Sequence, residues 1–343
     1  MGFSKGAMSA KAKAMYGERI RPSDYAQLIQ KKSVAEVASY LKHETYYRKT
    51  LAAINENSIH RGQLEMLLRY NWFERFSDLL RYAEKQSHFY HYIVGYNEIE
   101  QIMACLHMLQ NGDKLDLISK MPVHLAQYMD FDLFALAKVT SYDQLLDIVK
   151  NTPYYAILKK AQQRDMGDFD FVDVESQLTH LYYNELIATV LKCFKGDKLK
   201  SIVSFFSSQI ELDNLIKIYR LKKYYDAPAD KIRKVVTPHY YWFSKKDIDH
   251  LIDECNGDQV FEALKNSRYK GFMSDTNFTY IEYHAKYINY AMSRQQLNFS
   301  NDPDIVLMSY MIISEMEVEN LVDIIEGIRY HIAPDKIANS LIQ

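Results

Sequence analysis

Residues 211–215 read Glu-Leu-Asp-Asn-Leu, a pattern of acid, aliphatic, acid, amide and aliphatic that the chain carries three times. The other copies are Glu-Ile-Glu-Gln-Ile at 98–102 and Glu-Val-Glu-Asn-Leu at 317–321. The copies begin about 110 residues apart, which is far longer than the repeat of a solenoid protein. The spacing therefore predicts a small domain that occurs three times.

Two flanking signals keep the same order around the copies. A Lys-x-x-x-Tyr stretch precedes each copy, at 42–46, 150–154 and 265–269. An Asp-Lys-aliphatic step follows each copy, at 113–115, 230–232 and 335–337. Each signal is short and common by itself. Their unchanged order makes a triplicated unit the best interpretation.

The repeated segment has the periodicity of a helix. Val318, Leu321, Val322 and Ile325 stand at i, i+3, i+4 and i+7, and the other two copies have corresponding apolar stripes. The chain has only 11 glycines and 7 prolines in 343 residues, which leaves little material for turns and hairpins. We therefore predict an all-α fold.

Proline and serine mark the expected helix starts and domain boundaries. Pro228 and Pro334 introduce the Asp-Lys helices, since proline fits the first turn of a helix. Ser141 is a predicted N-cap for the segment that follows it. Breaks near Pro122 and Pro238 predict three similar helical domains, which are residues 1–125, 126–240 and 241–343.

Composition narrows the functional class. Lys and Arg number 42 against 44 Asp and Glu, so a net charge of −2 gives no electrostatic reason to expect nucleic acid. The distant cysteines Cys105, Cys193 and Cys255 are expected to be reduced, mostly buried thiols of a cytosolic protein. No window approaches 18 uninterrupted apolar residues and lysines interrupt the start of the chain, so neither a membrane span nor a signal peptide is expected.

A search for catalytic and phosphate-binding motifs favours a protein that is not an enzyme. Glycines at P-loop or dinucleotide spacing are missing, as are Gly-x-Ser-x-Gly, Cys-x-x-Cys and His-Glu-x-x-His. Glu84, His88 and His91 share a helical face that could hold zinc, but no fourth ligand is evident and the segment is aromatic. An ordinary helix face is the better interpretation, so we expect no catalytic residue, cofactor or metal.

An acidic run and a basic run are the remaining candidates. The acidic run consists of Asp165, Asp168, Asp170, Asp173 and Glu175. It could bind calcium, but it lacks the residue order of an EF-hand loop. Carboxylates ahead of a helix also interact favourably with the positive N-terminal end of that helix. The basic run suits the C-terminal ends of helices and could contact an acidic protein partner; its members are Arg220, Lys222, Lys223, Lys231, Arg233 and Lys234. Arg220, Lys222 and Lys223 are the candidate partner interface.

Three stretches, together with the triplication, resemble the central-stalk C subunit of V-type and archaeal-type rotary ATPases, the counterpart of the eukaryotic d subunit. The first is Ala-Lys-Ala-Lys-Ala-Met at 10–15 leading to Tyr-Ala-Gln-Leu-Ile at 25–29. The second runs from Glu211 to Tyr224. The third is 315–321 followed by Ile-Arg at 328–329 and Pro-Asp-Lys-Ile at 334–337. Glu326 stands in the third copy where Arg220 stands in the second.

The resemblance implies a non-catalytic rotor protein with three helical domains in a funnel of pseudo-threefold symmetry. In that family the protein sits on the membrane ring of proteolipid (c/K) subunits at the cytoplasmic face, and its cavity receives the shaft formed by the D and F subunits. It would transmit torque for ATP-driven transport of protons or sodium ions, or for ATP synthesis. It would reach the membrane only through the ring and bind no nucleic acid.

Two other classes of function remain open from the residues alone. A generic all-helical scaffold or adaptor would suit the helical content, but stacked scaffolds use much shorter repeats. An enzyme with an unrecognised all-α site would need convergent polar groups with perturbed pKa values in one pocket. One acidic pattern that occurs three times does not predict such a pocket.

Overall fold

The computed structural model describes residues 2–82, 89–112, 117–118, 121–162, 169–274 and 280–343. Every regular element in these ranges is a helix and none is a strand, which confirms the predicted all-α class. The chain forms two compact units. The first combines Met1–Lys85 with Tyr269–Gln343, and the second is Gln86–Arg268.

The α-helices follow the chain in three runs. The first unit begins with α1 Gly2–Gly17, α2 Pro22–Leu28, α3 Val34–Glu44 and α4 Arg61–Leu80. The second unit contains α5 Tyr92–Asn111, α6 Leu133–Leu136, α7 Tyr142–Ile148, α8 Tyr155–Ala161, α9 Phe171–Cys193, α10 Gly196–Tyr225, α11 Ala229–Val235, α12 Lys245–Asp253 and α13 Gly257–Asn266. The first unit is completed by α14 Ile281–Phe299, α15 Pro303–Arg329 and α16 Pro334–Ser340.

The helices begin where the side chains provide caps. Ser141 Oγ accepts a hydrogen bond from the Gln144 N–H, which confirms the predicted N-cap of α7. Ser244 and Asn256 cap α12 and α13 through reciprocal capping boxes. Pro228 is the N-cap residue of α11, and Pro334 stands in the first turn of α16, as predicted.

The core of the first unit joins the beginning of the chain to its end. Helix α15 packs against α1, α4 and α14. Leu321, Ile324 and Ile325 of α15 share one hydrophobic cluster with Leu41 and Leu64, which lie on α3 and α4. Because these side chains are almost fully buried, each stabilises the folded chain by about 1.5–3 kcal/mol relative to an exposed position.

The second unit has its own core, built from the repeated segment of the first copy. Ile99, Ile102 and Leu106 of α5 pack with Leu145 of α7 and Leu178 of α9. The apolar stripe predicted from the sequence of this copy is therefore the buried face of α5. The stripe of the third copy, on α15, is buried in the first unit in the same way.

A glycine sets a close helix contact in the second unit, where α10 packs against α13. A Cβ atom on Gly257 would lie 2.7 Å from Lys223 Cβ and 3.0 Å from Lys223 Cα. Two of the nearest atoms belong to the backbone of α10, so a rotamer change cannot make room. Gly257 thus allows the first turn of α13 to touch α10 directly.

The order of elements recurs along the chain as the triplication predicts. Two short helices, the tyrosine of the Lys-x-x-x-Tyr signal and two long helices occur in this order three times, and the second copy has the further short helix α8 after its tyrosine. The short pairs are α2 with α3, α6 with α7 and α12 with α13, and the long pairs are α4 with α5, α9 with α10 and α14 with α15. The domain boundaries 1–125, 126–240 and 241–343 stay a prediction, because compactness groups the residues into two units.

Candidate functional site

The first acid of each repeated pattern is buried in a long helix. Glu98 lies on α5, Glu211 on α10 and Glu317 on α15, with 0%, 0% and 7% of their surface exposed. A buried carboxylate is costly unless hydrogen-bond donors surround it. We use the name glutamate clasp for each of these three side chains together with the groups that donate hydrogen bonds to it.

The Glu211 clasp consists of consecutive backbone amides. The N–H groups of Tyr241, Trp242 and Phe243 donate to its carboxylate over 2.7, 3.0 and 3.0 Å. These residues lead into α12, whose N-cap is Ser244. Three amides that point at one carboxylate form an anion-binding turn, and here the anion belongs to the same chain.

The Glu317 clasp draws on residues from the beginning of the chain. The N–H of Ile20 donates to Oε2 over 2.7 Å, and the hydroxyl of Tyr46 donates to Oε1 over 2.5 Å. The Tyr47 hydroxyl is 3.4 Å from the same Oε1. The guanidinium of Arg75 lies 4.2 Å above the Tyr46 ring, so a cation also supports this carboxylate from a distance.

The Glu98 clasp combines one backbone amide and one hydroxyl. The N–H of Asp130 donates to Oε1, and the Tyr154 hydroxyl donates to Oε2 over 2.7 Å. Asp130 lies just ahead of α6, as Tyr241 lies ahead of α12 and Ile20 ahead of α2. The three clasps therefore hold equivalent points of the chain, as the triplication predicts.

Burial changes the pKa values of the glutamates in two clasps. Desolvation raises the pKa of Glu98 and of Glu317, while the hydrogen bonds from Tyr154, Tyr46 and the backbone act in the opposite direction. The pKa of Tyr46 is raised well above its usual value by burial and by the neighbouring Glu317. Burial and Glu98 likewise raise the pKa of Tyr154, so both tyrosines keep their hydroxyl protons at neutral pH and donate hydrogen bonds to the carboxylates.

The clasps link one copy of the repeat to the next. Glu98 of the first copy meets Tyr154, which precedes the second copy, and Glu317 of the third copy meets Tyr46, which precedes the first. Tyr269 occupies the corresponding place before the third copy and is fully buried. The Lys-x-x-x-Tyr signal thus supplies a tyrosine that is buried in the second and third copies and partly buried in the first.

The asparagine side chains of the repeated pattern bind a different part of the chain. Asn214 accepts from the N–H of Thr237 over 2.9 Å and donates to its carbonyl over 2.7 Å. Asn320 makes the same two bonds with Ile342, over 2.9 and 2.6 Å. Thr237 closely follows the Asp-Lys helix α11, and Ile342 closely follows the Asp-Lys helix α16. The asparagine side chain therefore holds the end of the short helix against the long helix, α10 or α15. The Asp-Lys step of the first copy, at 113–115, lies outside the described residues.

The candidate partner interface lies at the exposed end of α10. Arg220 and Lys223 are exposed and Lys222 is half-buried. Lys223 Nζ lies 2.7 Å from Asp258 Oδ1 of α13, so its charge is already paired within the chain. Tyr225 adjoins them and exposes 68% of its surface. This helix end offers charge and aromatic surface together.

The two metal candidates from the sequence fall partly outside the described residues. Glu84, His88, Asp165 and Asp168 lie there. Asp170 caps α9 by accepting from the Asp173 N–H over 3.0 Å, which matches the interpretation of the acidic run as a helix start.

His91 has neighbours that the sequence pattern does not reveal. It immediately precedes α5, and its Nε2 lies 3.7 Å from Asp130 Oδ1. A ligand atom from each of His91, Glu98 and Asp130 lies within 4.8 Å of the others. Asp130 is 39 positions from His91 in the chain, so only the tertiary fold brings them together.

The described helices include none with the length and apolar character needed to cross a bilayer.

Cys105 is buried, and burial raises the pKa of its thiol to about 12, whereas Cys193 and Cys255 are half-buried. Of the three cysteines expected to be mostly buried thiols, the structure buries Cys105 fully and the other two in part.

Residues 8–340 match the family model described as the ATP synthase (C/AC39) subunit. The chain belongs to this family. The match contains all three clasp glutamates together with Asn214 and Asn320, so the family covers the whole repeated architecture. The resemblance to the C subunit of V-type and archaeal-type ATPases is confirmed.

Several archaeal relatives agree with the family. The A-type ATP synthase C subunit of Methanococcoides burtonii is 22% identical over 98% of this chain and 93% of its own length. That of Haloquadratum walsbyi is 21% identical over 96% of both chains. That of Methanosarcina acetivorans is 23% identical over 68% of this chain and 64% of its own. These relatives all carry the name of one and the same component of an ATP synthase.

Proposed function

We propose that this chain is the non-catalytic central-stalk protein that couples the rotating shaft of a V/A-type ATPase to its membrane ring. Membership of the C/AC39 family over residues 8–340 is the observation that carries the proposal. The partners proposed are the D and F shaft subunits on one side and the proteolipid (c/K) ring on the other. The chain lies at the cytoplasmic face and contacts the membrane through the ring alone.

The packing of the described residues supports a mechanical role. Torque transfer requires a body that resists deformation, and close-packed helical cores deform little. The glutamate clasps add directional contacts of a buried carboxylate between different copies of the repeat. Such contacts resist sliding of one helix pair past the next, because sliding would expose a buried carboxylate to unpaired surroundings.

The direct test of coupling is reconstitution. A soluble catalytic head with its shaft is combined with vesicles that carry the membrane ring and its stationary partner, with or without this chain. We expect ATP-driven ion uptake only when the chain is present, because it provides the connection between shaft and ring. ATP hydrolysis by the free head is the control and should be unaffected. Equal ion uptake without the chain would refute the coupling role.

The candidate interface at the end of α10 gives a second prediction. We propose that Arg220, Lys222 and Lys223 meet acidic groups of a partner protein. Lys223 is left unchanged in the experiment, since it pairs with Asp258 and packs on Gly257. The double variant Arg220→Glu with Lys222→Glu should weaken assembly by about tenfold, because two charges at a protein contact change sign.

The matched control changes two exposed lysines at the start of α12, as Lys245→Glu with Lys246→Glu. Both double variants alter the net charge equally, so a general charge effect would appear in both. Assembly is measured as the affinity of the purified chain for the shaft complex and for the ring, at low and physiological salt. Wild-type affinity of the α10 variant for both partners would remove this surface from the proposal.

A generic helical scaffold or adaptor is the other candidate function. It predicts binding to proteins that have no part in a rotary ATPase and no requirement for the chain in ion uptake. The family match favours the ATPase component, and the reconstitution separates the two functions.

A further inference from the structure

The Glu98 clasp differs from the other two in having a histidine and an aspartate beside the carboxylate. His91 precedes Glu98 by seven positions, so two helical turns bring it to the same face of α5. Asp130 supplies both the backbone amide that binds Glu98 and a carboxylate of its own. All three residues belong to the second unit.

Neither extra residue is needed for a clasp. Seven positions before Glu211 stands Ser204, and seven before Glu317 stands Tyr310. The amides that bind those two glutamates come from residues 241–243 and from Ile20, none of which has a carboxylate. His91 and Asp130 therefore add metal-binding atoms to a structure that the other copies complete without them.

The spacing of the three groups suits ligands of a common metal ion. His91 Nε2 and Asp130 Oδ1 are 3.7 Å apart, which is too long for a direct hydrogen bond. Zinc bound through nitrogen and oxygen at about 2.0–2.2 Å in a tetrahedron separates its ligands by about 3.3–3.6 Å. The observed distance lies close to that edge, and the whole set lies within 4.8 Å.

The charges and exposure also favour a cation. Two carboxylates converge on one imidazole. Glu98 is buried, while the side chains of His91 and Asp130 are 42% and 52% exposed. A metal ion could therefore approach from solvent and contact the inner carboxylate, with water completing its coordination.

We propose that His91, Glu98 and Asp130 bind a single divalent zinc ion. One imidazole and two carboxylates form a mixed nitrogen and oxygen set that suits zinc better than magnesium or calcium, which prefer oxygen alone. The Tyr154 hydroxyl, 2.7 Å from Glu98 Oε2, orients the carboxylate from behind. The ion would fasten the start of α5 to the chain ahead of α6. This site is independent of the coupling role.

The test uses the purified full chain after treatment with a chelator, and zinc chloride as the probe. Calorimetry should show one zinc ion per chain, and thermal unfolding should shift upward with added zinc. Cobalt should give the visible absorption of a tetrahedral site with nitrogen and oxygen ligands. His91→Ala and Asp130→Asn should each weaken zinc binding by at least about tenfold.

The matched control is His250→Ala, which removes a histidine from an exposed pair with Glu254, where Nδ1 and Oε2 are 3.2 Å apart. This variant should bind zinc as the wild type does. Circular dichroism without zinc checks that each variant is folded, and His91 is exposed enough for its loss to leave the fold intact. Three outcomes overturn the proposal: wild type without stoichiometric binding, His91→Ala with wild-type affinity, or an equal loss in His250→Ala.

Discussion

Replacing Glu211 with alanine should lower the free energy of unfolding by about 3–5 kcal/mol, because three backbone amides lose their common acceptor. Each unpaired buried amide costs about 1–3 kcal/mol, and partial entry of water reduces the sum. Glu211→Gln should be intermediate, since its amide nitrogen turns a donor toward donors. Denaturant unfolding of the three proteins at neutral pH measures the differences.

The control for Glu211→Ala is the variant Asp213→Ala, which replaces the second acid of the same pattern. Asp213 pairs with Lys217 over 2.8 Å on a partly exposed face of α10. An i, i+4 ion pair of this kind contributes about 0.2–0.5 kcal/mol, so Asp213→Ala should be nearly neutral. If Asp213→Ala destabilised the chain as much as Glu211→Ala, burial and amide binding would not explain the importance of the first acid.

Replacing Glu317 with alanine should loosen the beginning of the chain. The variant loses the acceptor for the Ile20 amide and for the Tyr46 hydroxyl, and we expect a loss of about 2–4 kcal/mol. Local opening should also increase, since Ile20 lies between α1 and α2 and its amide is held by the Glu317 carboxylate. Trypsin should then cleave faster after Arg19, which mass spectrometry of the fragments will show; the Arg21–Pro22 bond is not a trypsin site.

The second acid of the third copy provides the comparison. Glu319 pairs with Lys286 over 2.7 Å, and both side chains are partly exposed. The Glu319→Ala variant should be cleaved at the wild-type rate, because exposed ion pairs contribute about 0–1 kcal/mol. Unchanged cleavage after Arg19 in Glu317→Ala would show that the Ile20 segment is held by its apolar contacts alone.

The sequence predicts the helices of this fold better than the contacts between them. Helical stripes, the cap at Ser141 and the two helix-starting prolines are local signals, and the structure confirms each of them. The spacing of the three patterns also predicts that their first acids occupy equivalent places. Local periodicity carries this information because one side of a helix must be apolar wherever it packs.

The contacts of the repeated acids depend on tertiary structure that the pattern does not encode. Three glutamates and three tyrosines of similar spacing allow several pairings, and only the fold shows that Glu317 meets Tyr46, which lies far from it in the sequence. The neighbours of His91 cannot be predicted from the sequence either, because they are also brought together by tertiary structure. A search along its own helix face does not find Asp130, which approaches from the segment ahead of α6.

The joining of the two chain ends in the first unit has a consequence for biosynthesis. Helices α1 and α4 leave the ribosome early, but the helix that buries their apolar faces, α15, is translated last but one. At about 5–20 residues per second, the early helices must wait for the synthesis of more than 200 further residues. The second unit is continuous in the chain and can pack as it emerges. We therefore expect a nascent chain to expose the apolar faces of α1 and α4 until α15 has been synthesised, and a chaperone to bind these helices during that time.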